Sequence, residues 1–451
     1  MTGVFVPVIV FIAIITLIVW LVVAANANEL GGKTDRGGKM FFALQFAISS
    51  LVIACPCGFG LAVPTAIAVA SGIAAKLGVL VQSGSESFEL ANKVEVVVFD
   101  KTGTLTKGEL ALVGERKLNN ETSNTPDGIL WDLVVKTEEQ SSHPIAKAVK
   151  TYASLKQRSN SPELTSTEEV SGRGVRATFN YGDKELEMRI GNAKFAGVRS
   201  TEAVDEWKKQ GNSIVYIATK DVRSSDDDLV TIFALAIADS PRDESAFVVE
   251  YLRSSGKNVF MLSGDEEITA KSIAKQVGID EGNVIAGVMP DEKVKHIERL
   301  RREAANKGVS SSMYNRMKTW MRIKENKQAT PLVMFIGDGL NDAGAIVASD
   351  VGCAQGSGSQ VTLSSAHFIL LNSSLRSLIN IFRLSKLVKI RIAINFVWAC
   401  IFNIVLIPIA AGVFYPVGVK LPPVYSALAM ALSSVSVVIS SLLLRLHKFS
   451  N

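Results

Sequence analysis

Cysteine is scarce in this 451-residue chain, with two at positions 55 and 57 and two isolated at 353 and 400. So few, so spaced, exclude a disulfide-stapled scaffold. Charge is scarce as well, 20% of residues against 48% hydrophobic, and its absence is concentrated. Residues 4 to 25, 40 to 63, 392 to 414 and 424 to 444 contain no Asp, Glu, Lys or Arg. Each stretch reaches the roughly 20 apolar residues that span a bilayer core, which excludes a wholly soluble protein. The first lacks a basic leader and a small-residue cleavage site, so it reads as a membrane helix rather than a removable signal. A net charge of +5 without an aromatic-interleaved basic stripe gives no footprint for nucleic acid. No internal repeat is present.

Between the second and third apolar stretches lies a long insert of ordinary globular composition. Arg383, Lys386, Lys389 and Arg391 precede the third stretch, and Arg445 and Lys448 follow the fourth. Positive-inside bias then puts the insert and the C-terminus in the cytoplasm, with lipid around four helices. Within the insert, five apolar runs end in acidic or glycine-rich turns: residues 94–100, 233–239, 258–265, 283–291 and 331–339. They read as buried parallel strands of a doubly wound α/β domain, whose ligands sit at the strands' carboxyl ends. Alternating segments from about Gly108 to Asp228 read as a smaller domain inserted after the first strand. The basic stretch from Arg301 to Pro331, eight Lys or Arg against two Glu, reads as a solvated loop with one short helix.

Asp100 closes the first run and opens Asp-Lys-Thr-Gly-Thr (100–104). A carboxylate at a strand end can attack phosphorus and form an acyl phosphate, with Lys101 and loop amides offsetting the charge. A lone Asp there is equally a turn cap. Its partners argue for chemistry: Asp338, Asn341 and Asp342 in Gly-Asp-Gly-Leu-Asn-Asp suit a hard cation such as Mg²⁺. Ser263-Gly264-Asp265 ends another run, and Lys293 offers a cation.

These motifs resemble the P-type ATPases, and more narrowly their heavy-metal (type IB), copper-transporting branch. The resemblance implies a phosphorylation domain of haloacid dehalogenase type, ATP phosphorylating Asp100, and Mg²⁺ held by Asp100, the Thr102 carbonyl and Asp338. Ser263 stands where the family has threonine. Soluble haloacid dehalogenase phosphatases carry a second Asp two residues after the nucleophile; Thr102 cannot serve as that acid and base, so the phosphoenzyme should persist. The resemblance also implies ATP binding by Glu138, His143, Gly172, Gly174, Val175, Gly191 and Asn192, although on residues alone His143 is a surface histidine near a helix start. Ser142 replaces the family's usual Glu.

Cys55-Pro56-Cys57 lies inside the second apolar stretch. On a regular helix the two sulfurs would diverge, but proline breaks the helix and lets them converge. Soft thiolates favour Cu(I) or Zn(II), and a two-coordinate pair suits Cu(I). Met430, Ser433 and Ser434 share a helix face. The resemblance makes Asn403, Met430 and Ser433 a second Cu(I) site, where zinc and cadmium relatives would carry Lys and Asp; Phe402 replaces the family's tyrosine. Cys353 and Cys400 read as packing residues.

Neither Cys-x-x-Cys nor Thr-Gly-Glu occurs, so the chain reads as a C-terminal part of the family architecture. The expected division is 1–76 (helix pair with Cys-Pro-Cys), 77–107 and 231–387 (phosphorylation domain), 108–230 (nucleotide-binding domain) and 388–451 (C-terminal helix pair). By resemblance the full-length setting adds a cytosolic copper chaperone and, in a eukaryote, a Golgi-like secretory compartment. The alternatives are a non-transporting ATP- or copper-binding fragment that modulates a full-length pump, a zinc or cadmium ATPase, and a phosphatase.

Overall fold

The computed structural model describes residues 2–26, 38–118, 127–141, 143–156, 163–170, 172–181, 184–198, 202–222, 229–308, 331–338, 342–356 and 364–449. It divides into two units, Met1–Lys93 with Arg376–Asn451, and Val94–Leu375.

The first unit is helical, with a short strand β1 (Val79–Val81) and the helix Ser85–Lys93 beyond its second span. Among the described residues, four spans are long and apolar enough to cross a membrane: Pro7–Asn26, Gly38–Lys76, Arg376–Ala410 and Pro423–Leu446. Large side chains such as Phe11, Trp398 and Ile404 stand exposed on them, an apolar outer surface of the kind that faces lipid or neighbouring membrane helices. The second span is interrupted, as the proline requires: one helix ends at Ile53 and the next begins at Cys57. Across the break, Cys55 N–H reaches back only three residues to Val52 O (3.3 Å). Trp20, Phe42, Phe46 and Tyr415 form an aromatic cluster, Trp20 stacking on Phe46 at 4.4 Å. Trp20 Nε1 donates to Ala411 O (2.8 Å), tying the first span to the end of the third.

The second unit contains two sheets. The strands are β2 (Val94–Asp100), β3 (Thr106–Lys117), β4 (Glu163–Val170), β5 (Gly174–Tyr181), β6 (Lys184–Gly191), β7 (Ser213–Asp221), β8 (Val230–Pro241), β9 (Asn258–Leu262), β10 (Val284–Ile285), β11 (Leu332–Gly337), β12 (Val351–Gln355) and β13 (Phe368–Leu370). The parallel sheet runs β13-β12-β11-β2-β9-β10. Val96, Val97, Val98 and Phe99 are all buried, because both faces of central β2 are covered. Its register puts Asp100 beside Leu262, with Ile336 opposite Phe99, so the carboxyl ends of β2, β9 and β11 converge.

The antiparallel sheet runs β3-β8-β7-β6-β5-β4, with the helices Asp127–Glu138 and Pro144–Lys156 over one face. The run 233–239 belongs here, and this corrects the expectation of a parallel strand: β8 pairs antiparallel with β3 and β7. Phe233, Leu235 and Ile237 enter the core beneath the helices, while Ala234 enters a second cluster with Tyr216 and Ala218 on the other face. A strand covered on both sides reads as continuously apolar whichever way its neighbours run. Strands β12 and β13 join the parallel sheet unannounced by the sequence pattern, each too short to show a period. Of the basic stretch, the helix Lys293–Gly308 is described, and residues 309–330 lie outside the described residues.

Candidate functional site

Asp100 ends β2 only 6% exposed. Lys293, in the first turn of its helix, bridges Asp100 Oδ1 and Asp342 Oδ1, both at 2.6 Å. Asp100, Asp338 and Asp342 each offer an oxygen within 4.8 Å of the others. Burial, then Asp342, pushes the Asp100 carboxyl up to about 7 despite Lys293. Burial and Asp342 likewise raise Asp338. Buried carboxylates crowded this way fit a hard divalent cation that takes oxygen ligands, as Mg²⁺ does.

The loop after Asp100 turns through Gly103 at φ +70°, where a Cβ would collide with the Asp338 carboxylate, so glycine is required sterically as well as conformationally. Thr102 is exposed, and Lys101 Nζ reaches Asp265 Oδ2 at 2.5 Å. Asn341, with Gly339 and Leu340, lies outside the described residues, as does Ser142.

Two residues that the sequence reading passed over anchor this loop. Arg242 donates from Nη2 to Gly103 O (2.5 Å) and Gln355 Oε1 (3.1 Å), from Nε to Thr106 O (3.0 Å) and from Nη1 to Ser373 O (3.0 Å). Asp239 accepts from Gly108 N–H (3.0 Å) and lies 2.5 Å from the Thr106 hydroxyl. Their signal was present: two charges, Asp239 and Arg242, closing an otherwise apolar run.

On the antiparallel sheet, a cavity of about 280 Å³ is lined by Glu138, His143, Gly172, Gly174, Val175, Gly191 and Asn192, all seven residues expected to bind nucleotide. Glu169 and Arg173 line it too and were not anticipated. His143 Nδ1 accepts the Ile145 amide (3.2 Å), so the imidazole caps the helix Pro144–Lys156 and lines the cavity at once. Gly174 and Gly191 pair across β5 and β6, and a Cβ on either would strike backbone of the opposite segment, so their first duty is close strand approach. Asn192 Nδ2 donates to Gly172 O (3.3 Å) and shapes the same rim.

Glu138 is 4% exposed, and its Oε2 has no hydrogen-bond partner among the described residues. Burial, then the charge of Glu169, raises its carboxyl to about 7. A carboxyl whose folded pKa lies above its ordinary 4.5 opposes folding once ionised, so stability falls as pH rises from about 4.5 through 7. Glu138→Gln should remove that slope, and amide hydrogen exchange of the helix Asp127–Glu138 in the full chain should slow several-fold at pH 8 but barely change at pH 5. An unaltered pH profile would contradict the ionisation argument.

In the helical unit, the sulfurs of Cys55 and Cys57 meet across Pro56 as a disulfide, with Cα atoms 5.5 Å apart. Reduced, the pair presents two thiols, which become thiolate ligands on giving up their protons to bind a metal. Cys57 Sγ lies 3.9 Å from Met430 Sδ. A cavity of only about 10 Å³ is lined by Cys55, Asn403, Met430 and Ser433, with Phe402 at its wall. All five residues expected from the membrane spans therefore come together. Ser434 instead turns its hydroxyl to Met430 O (3.3 Å). Cys353 is buried in β12, where desolvation raises its thiol, and Cys400 is exposed on its helix, so neither joins the cluster.

A haloacid dehalogenase-like hydrolase profile matches residues 94–350. The chain is 36% identical over 99% of its length to the copper-transporting ATPase RAN1 of Arabidopsis thaliana, covering 43% of that protein. It is 32% identical over 99% of its length to a copper-transporting ATPase of Saccharomyces cerevisiae, covering 42%. It is 34% identical over 98% of its length to a probable copper-exporting P-type ATPase of Archaeoglobus fulgidus, covering 48%. The chain thus spans less than half the length of these relatives. A zinc-transporting PIB-type ATPase crystal structure superposes with a TM-score of 0.70 at 23% identity, over 97% of this chain and 62% of the other. With the strand-end aspartates, the cavity on the antiparallel sheet and the broken Cys-Pro-Cys helix already in place, the chain belongs to the haloacid dehalogenase-like hydrolase family, and the relatives it matches along nearly its whole length are copper-transporting ATPases.

Proposed function

We propose that this chain carries the ion site and phosphorylation machinery of an ATP-driven Cu(I) transporter that passes through a phospho-aspartate. The observation that carries the metal assignment is the sulfur cluster: Cys57 Sγ 3.9 Å from Met430 Sδ, with Cys55 alongside. Thiolate and thioether ligands together select a soft monovalent ion, and no Asp, Glu, His or Lys lines the cavity to complete a tetrahedral zinc shell.

The nucleotide would occupy the cavity between Glu138 and Asn192 and hand its terminal phosphoryl group to Asp100. Lys293 favours the ionised form of Asp100 against burial and Asp342 and aligns it, and Lys101 and the loop amides offset the charge of the transferring group. Asp100, the Thr102 carbonyl and Asp338 would hold Mg²⁺, which when bound neutralises phosphate oxygens. Asp265, Asn341 and Asp342 complete the proposed catalytic set, within the domain limits given above. The reading extends to an insert on the cytoplasmic side, a secretory-pathway membrane and a copper chaperone as donor in the full-length setting.

Reduced protein in detergent, given Mg²⁺ and γ-labelled ATP, should form phosphoenzyme at a level that responds to Cu(I) and not to Zn(II). Equal responses to the two metals would remove the copper assignment; no labelling under any condition would remove the phosphoryl-transfer reading.

A further inference from the structure

Eight residues along each of three helices from the proposed ion site lies a second polar layer. Thr65 follows Cys57 by eight, Asn395 precedes Asn403 by eight, and Ser441 follows Ser433 by eight. Eight residues are about 12 Å of helix, so each member sits two turns from an ion-site residue, all displaced in one direction.

The layer is hydrogen-bonded throughout. Arg391 Nη1 donates to Ser440 Oγ (3.3 Å). A guanidinium only donates, so the Ser440 hydroxyl turns to Asn395 Oδ1 (2.7 Å). That fixes the amide, whose Nδ2 donates to Ser441 Oγ (3.0 Å). Thr65 Oγ1 lies 2.6 Å from Leu61 O and 2.9 Å from Ser441 Oγ, which itself lies 3.0 Å from Val437 O, so the two hydroxyls share their protons among one another and these two carbonyls. One hydrogen-bonded network therefore links Arg391, through Ser440, Asn395 and Ser441, to Thr65 on the Cys57 helix. Asn395 is 1% exposed and Ser441 fully buried.

The network ends where the Cys57 helix is weakest. Pro64, adjacent to Thr65, removes the backbone bond to Gly60 O, and Pro56 breaks the helix just before Cys57. The segment bearing Cys57 thus hangs between two proline joints. Backbone bonding alone does not hold it in line with Met430, on a different helix.

We propose that Asn395, acting through Ser441 and Thr65, is a positioning residue that holds the Cys57 segment against Met430. The inference rests on the copper reading for its functional consequence and not for its geometry. Two measurements on the reduced full chain in detergent separate them. In Cu(I) titrations against a competing chelator, Thr65→Val, which keeps the shape and loses the hydroxyl, and Asn395→Leu should each lower affinity about tenfold or more. They should also change the copper X-ray absorption edge, while Thr65→Ser restores wild-type values and ATP binding is unaffected in all three. In a metal-free Cys55→Ser, Met430→Cys background, oxidative crosslinking of Cys57 to position 430 should slow at least tenfold on adding Thr65→Val and recover with Thr65→Ser. Wild-type crosslinking and Cu(I) affinity in Thr65→Val would overturn the proposal, as would Thr65→Ser behaving like Thr65→Val. Wild-type protein that binds no Cu(I) would sink the copper reading, with the crosslinking rates still deciding the positioning role.

Discussion

Asp100→Asn should abolish the acid-stable, hydroxylamine-labile phosphate formed from γ-labelled ATP, down to background rather than to a fraction. Asn keeps the side chain's volume and its capacity to accept from Lys293, but it has no anionic oxygen to attack phosphorus. Neither neighbouring carboxylate stands in the place of Asp100: Asp338 follows the end of β11 and Asp342 opens the short helix after it, so neither lies at the end of β2. Loss of label should not come from unfolding. The Asp100 carboxyl is raised from 3.8 to about 7 by burial and by Asp342, so its charge opposes folding increasingly between those values. The metal-free Asn variant should therefore melt at the same temperature as wild type or higher at pH 8. Label retained by the variant would end the assignment; label lost together with a collapsed melting transition would leave the role of Asp100 to be carried by Asp100→Ser as a second variant, expected to be equally unlabelled and folded.

Cys57→Ser should abolish Cu(I) binding at the membrane site rather than halve it, a loss of at least a thousandfold in affinity. The hydroxyl is a hard, weak ligand for Cu(I), and removing one thiolate leaves Cys55 with the more distant Met430 thioether as the only remaining sulfur among the lining residues. Cys55→Ser should behave alike. X-ray absorption of the loaded wild-type protein should show sulfur in the first shell; a four-coordinate zinc site, or copper without sulfur, would overturn the assignment. Retention of tight binding by either serine variant would show that the pair does not act as one ligand.

What was legible in the sequence follows from how local each signal is. Asp100 and Asp338 stand at the ends of strands that the apolar runs advertise, with Asp342 just beyond, so their convergence could be expected from the rule that parallel strands gather ligands at their carboxyl ends. The Cys-Pro-Cys break is a covalent consequence of proline and could be read from three residues. The placement of β8 could not, because burial on both faces erases the alternation that distinguishes an antiparallel strand. Arg242 and Asp239 escaped notice because their partners, Gly103, Thr106 and Ser373, come from distant parts of the chain. The Thr65–Asn395–Ser441 layer was hidden for the same reason: each residue is a small polar group in an apolar helix, and only the shared spacing from the ion site marks them as a set.

Strands β3 and β8 lead into and out of the antiparallel sheet, and the first residue of β3, Thr106, lies opposite the last of β8, Pro241. The two chain crossings are therefore hydrogen-bonded neighbours. To the parallel sheet, everything between residues 106 and 241 is equivalent to a tight hairpin. The loop-closure entropy that a long insertion would impose is met inside the inserted domain, by its own strand pairing, and not by the sheet that carries Asp100. Sequence length between the first and second parallel strands is thus a poor guide to how hard they are to bring together: once β3 and β8 zip, what separates β2 from β9 is the loop 101–105 and the stretch 242–257 with its helix Ser245–Ser254, an ordinary parallel crossover.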